Sequence, residues 1–417
     1  YPFNYKDPHQ IVHAHIAKVP IFVSDIDSLV PYSLSLIIDK LLKKEPEERY
    51  QSINGICHDL ELVLKQLKDS KIINFKLGTN DFSHRPNIPQ RLYGRDKEQK
   101  YLLEIFNNVI ENNKKELVTI EGYSGIGKTS LIQTIHDNAV YRKVYILNSK
   151  FEQYNKNIPY YGLINSLKDY VNYLFLAKDE KLDEFKKGVL EHLGENVKLI
   201  CEIIPRMELI VGHLKELPKL YPSESQNRFN MTFLNFIKFV VNFENFLIIS
   251  LDDMQWADSA TLRMVKNILN DNNINSLMLI LTFRSNEVSN SHNFKLMLNE
   301  LTPKYYNYSK IVLEPLSSNC ISNMVSDTLH VSCEDCRALV KLLNKKTQGN
   351  PFFIKEFLYS LYDEKMFEFD FLNNKWTWDI EKIKSKNISD NVADLLIKKM
   401  LGLSKKSKEI VQYFSCI

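Results

Sequence analysis

The chain has 417 residues, 44% of them hydrophobic and 25% charged, and a net charge of +3. That length leaves room for about two to four domains, and a charge this small argues against the strongly basic surface that nucleic acid or an acidic membrane selects. Six cysteines are too few for a disulfide framework and point to a reducing, cytoplasmic setting, and the most apolar run, Met231 to Leu251, is interrupted by Lys238 and Glu244 and does not span a membrane.

The chain begins at Tyr1 rather than at a Met and is expected to be a piece of a longer protein. Residues 1–70 read as helical. Leu34, Ile37, Ile38, Leu41 and Leu42 recur at helical spacing, and Ile53, Ile56, Cys57, Leu60 and Leu64 repeat it, so each set is expected to form one buried face. His9, His13 and His15 have no carboxylate or thiol at ligand spacing and are read as packing or solvated residues. His13-Ala14-His15-Ile16-Ala17-Lys18 and Leu41-Leu42-Lys43-Lys44-Glu45-Pro46-Glu47-Glu48-Arg49-Tyr50 resemble the end of a protein kinase C-lobe. In kinases the Arg matching Arg49 pairs with a Glu closing the activation segment. That Glu, the Gly-rich loop, the ATP-binding Lys, His-Arg-Asp and Asp-Phe-Gly are not in this chain. The resemblance therefore implies a kinase domain in the parent protein and no phosphotransfer by this piece.

Residues 71–90, with Gly78, Asn80, Asp81, Pro86 and Pro89, have linker composition. Leu92-Tyr93-Gly94-Arg95-Asp96 then precedes an amphipathic helix carrying Leu102, Ile105, Phe106, Val109 and Ile110. A Gly-Arg-acid box one helix before a phosphate loop is where such proteins hold the base of a nucleotide; Asp96 can equally cap the helix. Glu116 to Thr129 is the stretch around which the rest is organised. An apolar run leads into Gly122-Tyr123-Ser124-Gly125-Ile126-Gly127-Lys128-Thr129, a strand, a glycine-rich turn and the start of a helix. Successive backbone N–H groups of such a turn form an anion nest at a helix N-terminus. Lys128 supplies a point charge to the β- and γ-phosphates, and Thr129 can ligate Mg²⁺.

Val144 to Leu147 is the next expected strand, and residues 151–240 an inserted helical region. Phe229, Phe233, Phe236 and Phe239 are read as its core rather than as a cofactor stripe. Phe246-Leu247-Ile248-Ile249-Ser250-Leu251-Asp252-Asp253 is expected to be a central parallel strand ending in two carboxylates at the ligand-binding edge of the sheet. Asp252 can hold Mg²⁺ opposite Thr129, and Asp253 can orient or deprotonate the attacking water. Asp258 is expected to cap the next helix. The strand Leu277 to Phe283 ends at Arg284, which can report the γ-phosphate or pair with Asp252 and Asp253.

Past residue 311 the composition turns helical, with Ile321, Met324, Val325 and Leu329 on one face. Cys333-Glu334-Asp335-Cys336 lacks a second ligand pair at zinc spacing and is read as two helix-borne thiols. Gly349 is expected to end a helix, Asn350 to cap the next and Pro351 to open it. Phe367, Phe369 and Phe371 alternate, as do Trp376 and Trp378, and predict a β-hairpin around Asn373-Asn374. The chain ends in helices, with Val392, Leu395 and Leu396 on one face and Ser404 as a cap.

Tyr93-Gly94-Arg95-Asp96, Gly122 to Thr129, Leu251-Asp252-Asp253-Met254-Gln255-Trp256-Ala257-Asp258, Arg284 and Gly349-Asn350-Pro351-Phe352-Phe353 together resemble a STAND-type P-loop ATPase, a signal transduction ATPase with numerous domains. The match is to the ATPase module of multidomain sensor kinases, whose internal motifs Ser149-Lys150-Phe151-Glu152-Gln153, Ile158-Pro159-Tyr160 and Gln226-Asn227-Arg228-Phe229 resemble. The resemblance implies an α/β P-loop core over 91–310, a helical lid with hairpin over 311–388 and the start of a winged-helix domain over 389–417. It implies ATP and Mg²⁺ as ligands, with Gly94, Arg95 and Pro351 flanking the base, and Gly122, Ser124, Gly125, Ile126, Gly127, Lys128, Thr129 and Ser130 around the phosphates. Thr129 and Asp252 would hold the metal, and Lys128, Asp253 and Arg284 would serve hydrolysis. Kinase and sensor domains of the same parent chain are the implied partners.

Overall fold

The computed structural model describes residues 2–3, 14, 18–44, 48–69, 77–79, 81, 88–89, 91–142, 144–370, 375–385, 400 and 403–415. They fall into two compact units, one of residues 94–316 with 350–352 and one of residues 1–93, 317–349 and 353–417. His9, His13 and His15, most of the 71–90 segment, the Asn373-Asn374 turn and the Val392 to Leu396 face lie outside the described residues.

In chain order the first elements are the helices α1 (Val23–Ile26), α2 (Tyr32–Leu41) and α3 (Ile53–Asp69). Ser52 caps α3 by accepting from the Gly55 N–H at 3.0 Å, and Asp81 accepts from the Ser52 N–H at 2.8 Å. The buried face of α3 differs from the expected one. Ile53, Leu60 and Leu64 are exposed, whereas Gly55, Asp59 and Val63 are buried. Asp59 turns inward because its carboxylate accepts from the Tyr50 hydroxyl and, at 2.7 Å, from the Gly78 N–H. A buried, hydrogen-bonded carboxylate is invisible to an apolar-periodicity count. On α2, Ile37 is buried as expected and Leu41 is not. Arg49 donates to the carbonyls of Lys43 and Lys44 at 2.8 and 3.1 Å.

The core follows as α4 (Asp96–Asn112), β1 (Lys115–Glu121), α5 (Lys128–Tyr141) and β2 (Tyr145–Lys150). The inserted helices are α6 (Tyr161–Leu174), α7 (Asp179–Leu193), α8 (Val197–Ile203), α9 (Met207–Val211) and α10 (Pro222–Phe243). Then come β3 (Leu247–Asp252), α11 (Ser259–Asn270), β4 (Leu277–Phe283), α12 (Asn293–Glu300) and β5 (Asn307–Val312). The fold is α/β, with a parallel five-stranded sheet in the order β2-β3-β4-β1-β5. Strands β3 and β4 are mostly apolar, as fits strands covered on both faces. Leu102, Phe106, Leu131 and Ile135 from α4 and α5 pack on one side of the sheet. Phe185, Phe233, Phe236 and Val265 join the larger core on the other side. The phenylalanine stripe of α10 is core, as expected: Phe233, Phe236 and Phe239 are buried. Asp96 is the first residue of α4, not its cap.

The remaining elements are α13 (Ser318–Leu329), α14 (Arg337–Thr347), α15 (Pro351–Asp363), β6 (Phe367–Asp370), β7 (Lys375–Trp378), α16 (Ile380–Ser385) and α17 (Lys405–Ser415). β6 and β7 form the expected antiparallel hairpin, with Phe367 opposite Trp378 and Phe369 opposite Trp376. Cys333 lies in the turn before α14 and Cys336 is its N-cap, so the two thiols are not helix-borne. Among the described residues no helix is long and apolar enough to cross a membrane.

Candidate functional site

The loop between β1 and α5 lies at the C-terminal edge of the sheet. Its carbonyl oxygens are all engaged from Gly122 to Ile126. Lys128 Nζ donates to those of Gly122 and Tyr123, at 2.9 and 3.0 Å. The Asn350 side-chain amide donates to that of Ser124 at 2.8 Å. The N–H of Phe352 donates to that of Gly125 at 3.3 Å. Arg95, itself buried, donates through Nη2 to that of Ile126 at 3.2 Å and to that of Glu314 at 2.6 Å.

Two glycines explain why the loop can take this path. Gly125 has φ +74, and a Cβ there would come within 2.7 Å of the Phe352 Cβ. Gly127 has φ +103, and a Cβ there would meet no protein atom within 4 Å, so the loop is open on that side. Both lie in the left-handed region that favours glycine. Burial pushes the Lys128 ammonium below its usual range, against the opposing charges of Asp253 and Asp252.

Asp252, at the tip of β3, faces Thr129: the Thr129 hydroxyl donates to Asp252 Oδ2 at 3.1 Å. The other carboxylate oxygen, Oδ1, accepts from the Thr282 hydroxyl and from the Asp253 N–H at 3.1 Å. A hydroxyl and a carboxylate are the hard oxygen donors that magnesium takes, usually with several waters retained. Among the described residues no group of three or more His, Cys, Asp or Glu is placed to hold a metal ion.

Asp253 adopts a left-handed backbone, φ 59. Its carboxylate accepts from Arg284 Nε at 3.0 Å, from Arg284 Nη2 at 3.3 Å and from Gln255 Nε2 at 2.9 Å, with Lys150 Nζ at 3.7 Å. Burial raises the Asp253 carboxyl, but the hydrogen bonds from Gln255 and Arg284 and the charges of Arg284 and Lys150 outweigh it and hold the group below the usual range. Arg284 also pairs with Glu287 at 2.8 Å. Of the two options the sequence leaves open for Arg284, the structure has the pairing with Asp253.

Gly122, Ser124, Gly125, Ile126, Gly127, Lys128 and Thr129 thus come together with Asp252, Asp253 and Arg284. Ser130 is the exposed third residue of α5, and Gly94 takes φ 61 beside Arg95. Pro351 is half-buried at the start of α15, between the two residues that touch the loop. Sequence reasoning missed Thr282, Gln255 and the second use of Asn350. Thr282 had a signal: it is the one hydroxyl in an otherwise apolar, fully buried strand. Asn350 had none, because capping accounts for it locally.

Residues 91–280 match the family described as AAA ATPase domain. The chain is 32% identical to hybrid signal transduction histidine kinase G of Dictyostelium discoideum, over 100% of this chain and 14% of the relative. It is 21% identical to peroxide stress-activated histidine kinase mak3 of Schizosaccharomyces pombe, over 93% of this chain and 20% of the relative. A solved structure of Drosophila ORC bound to DNA aligns with 9% identity and a TM-score of 0.41, over 85% of this chain and 79% of that one. The chain therefore spans a fifth or less of the length of these two kinases. An AAA ATPase domain lies over residues 91–280 of a chain related to hybrid histidine kinases.

Proposed function

We propose that the chain binds ATP with Mg²⁺ and hydrolyses it slowly, as a STAND-type switch that sets the output of kinase and sensor domains in the same parent protein. The observation that carries the reading is the juxtaposition of Thr129 and Asp252, 3.1 Å apart, with a buried Lys128 at the start of the same helix. Thr129 and Asp252 would hold the metal, which when bound neutralises charge on the phosphate oxygens. Lys128 would exchange its two carbonyl partners for phosphate oxygens. Arg284 would leave Asp253 when a γ-phosphate arrives, freeing that carboxylate to orient the attacking water. Such a partner exchange is a differential contact between ATP and ADP, which is what shifts a conformational equilibrium. Gly94, Arg95 and Pro351 would lie on the base side. Residues 1–70 would be the tail of a kinase C-lobe, and residues 389–417 the start of a winged helix.

One observation favours a second reading, a nucleotide-binding interaction scaffold without useful turnover: Asp253 is already committed to Arg284 and Gln255. Phosphate release with Mg²⁺, measured for the wild type, Lys128→Ala and Asp253→Ala, separates the two. The switch reading expects both substitutions to abolish release. Equal rates in all three remove hydrolysis, and a rise in melting temperature with ATP but no release selects the scaffold.

A further inference from the structure

A peptide unit is planar and trans, so holding its carbonyl oxygen fixes the direction of the N–H on the other side of the same plane. The Ser124–Gly125 peptide is held by the Asn350 Nδ2 donor at 2.8 Å. The same side chain uses its other atom, Oδ1, to accept from the Phe352 N–H at 3.1 Å, which caps α15. That Phe352 N–H also reaches the Gly125 carbonyl at 3.3 Å. One rigid amide therefore joins a loop peptide to the first turn of a helix 226 positions away in sequence. The close approach is built in: a Cβ on Gly125 would lie 3.0 Å from Asn350 Oδ1 and 2.7 Å from the Phe352 Cβ.

Resting on the nucleotide-site reading above, we propose that Asn350 is a positioning residue for the phosphate loop. Its amide sets the Ser124–Gly125 peptide so that the Gly125 N–H points away from residues 350–352, and its cap ties occupancy of the loop to order in the first turn of α15. Aspartate or serine would cap the helix equally well. Neither carries a neutral donor and an acceptor on one planar group, so capping alone does not call for asparagine.

The test separates the two ends of the amide. Asn350→Ser keeps a cap oxygen and loses the donor to Ser124; Asn350→Ala loses both. ATP with Mg²⁺ is titrated calorimetrically into all three proteins, and hydrogen exchange at the Gly125 and Phe352 amides is followed with and without ATP. The expected result is a roughly tenfold weaker ATP affinity for Asn350→Ser, the loss of one hydrogen bond, with its nucleotide-free melting temperature near that of the wild type. Asn350→Ala should lose both affinity and melting temperature. ATP should slow exchange at Phe352 in the wild type and not in Asn350→Ser, a readout that a cap alone would not move. If the wild type binds ATP and Asn350→Ser binds it equally, with the same slowing at Phe352, the positioning role is wrong and the nucleotide site stands. If the wild type binds no ATP, the nucleotide site itself is wrong and the positioning role falls with it.

Discussion

Two lysines flank β1, one at its first residue and one just past the loop that follows it, and they share burial but not anchors. Lys115 is 2% exposed and Lys128 is 6% exposed. Burial depresses both ammonium groups. Lys115 donates to the carbonyls of Ile268 and Asp271, at 2.9 and 2.6 Å, at the C-terminal end of α11. The Ile268 carbonyl, in the last turn, lies at the negative end of the helix dipole, and Asp271 is the C-cap, so this lysine completes a helix. Lys128 donates to carbonyls of its own loop, with the charges of Asp252 and Asp253 acting on it. In the proposed nucleotide site those two carbonyls would give way to phosphate oxygens. Burial and a depressed ammonium are thus common to both lysines, and what separates them is where their acceptors lie.

The largest effect that tests this contrast is on ligand binding. Lys128→Ala should weaken ATP by about 3 kcal/mol, on the order of a hundredfold, as expected for lost charge-assisted hydrogen bonds. Lys115→Met should leave ATP affinity unchanged in the same calorimetric titration. Equal losses in the two variants would erase the distinction.

Next comes a pH effect confined to the other end of the strand. The Lys115 ammonium is pushed down by burial to about 8, from 10.5. Between those values the unfolded chain binds more protons than the folded one, so stability should rise with pH across that window, by about 3 kcal/mol at most. Urea unfolding at several pH values should show a steeper rise in the wild type than in Lys115→Met, which keeps only the depressed Lys128 ammonium. A parallel slope in both proteins would mean that the lysine is not the titrating group.

The helix that holds Lys115 is capped at its far end by Asp258, which accepts from the N–H groups of Ala260 and Thr261 at 2.9 Å each. Asp258→Ala should lower the urea-derived stability by about 1–2 kcal/mol. The smallest effect belongs to Lys150, whose side chain is 60% exposed and 3.7 Å from Asp253. Lys150→Met should change stability by less than about 1 kcal/mol, and a larger loss would show that Asp253 depends on it more than the geometry indicates.

Much of the core was legible because burial and period agree there. β3 and β4 are buried on both faces and read as mostly apolar runs, and the loop shows in the spacing of its glycines before Lys128. β5 was not anticipated. It is an edge strand with alternating exposure, and Asn307, Tyr308 and Lys310 dilute the apolar signal. The face of α3 was misread because Asp59 occupies an inward position that only its hydrogen bonds make tolerable. In the candidate site, residues on either side of the loop were found from local spacing. The ties that cross the fold, from Asn350 to Ser124 and from Thr282 to Asp252, depend on which strand lies beside which, and a linear pattern does not carry that.

β4 lies between β1 and β3, and near its tip Thr282 donates to Asp252 while accepting from the Asp253 N–H at 3.2 Å. A single hydroxyl therefore holds one carboxylate oxygen of Asp252 and the backbone of the acid that follows it. Exchange of that residue for valine would preserve the outline of the molecule and delete one oxygen atom. Such a variant would keep the outline of the strand while taking a hydroxyl partner from Asp252 and from the Asp253 N–H, and a screen that scores silhouettes alone would pass it as wild type.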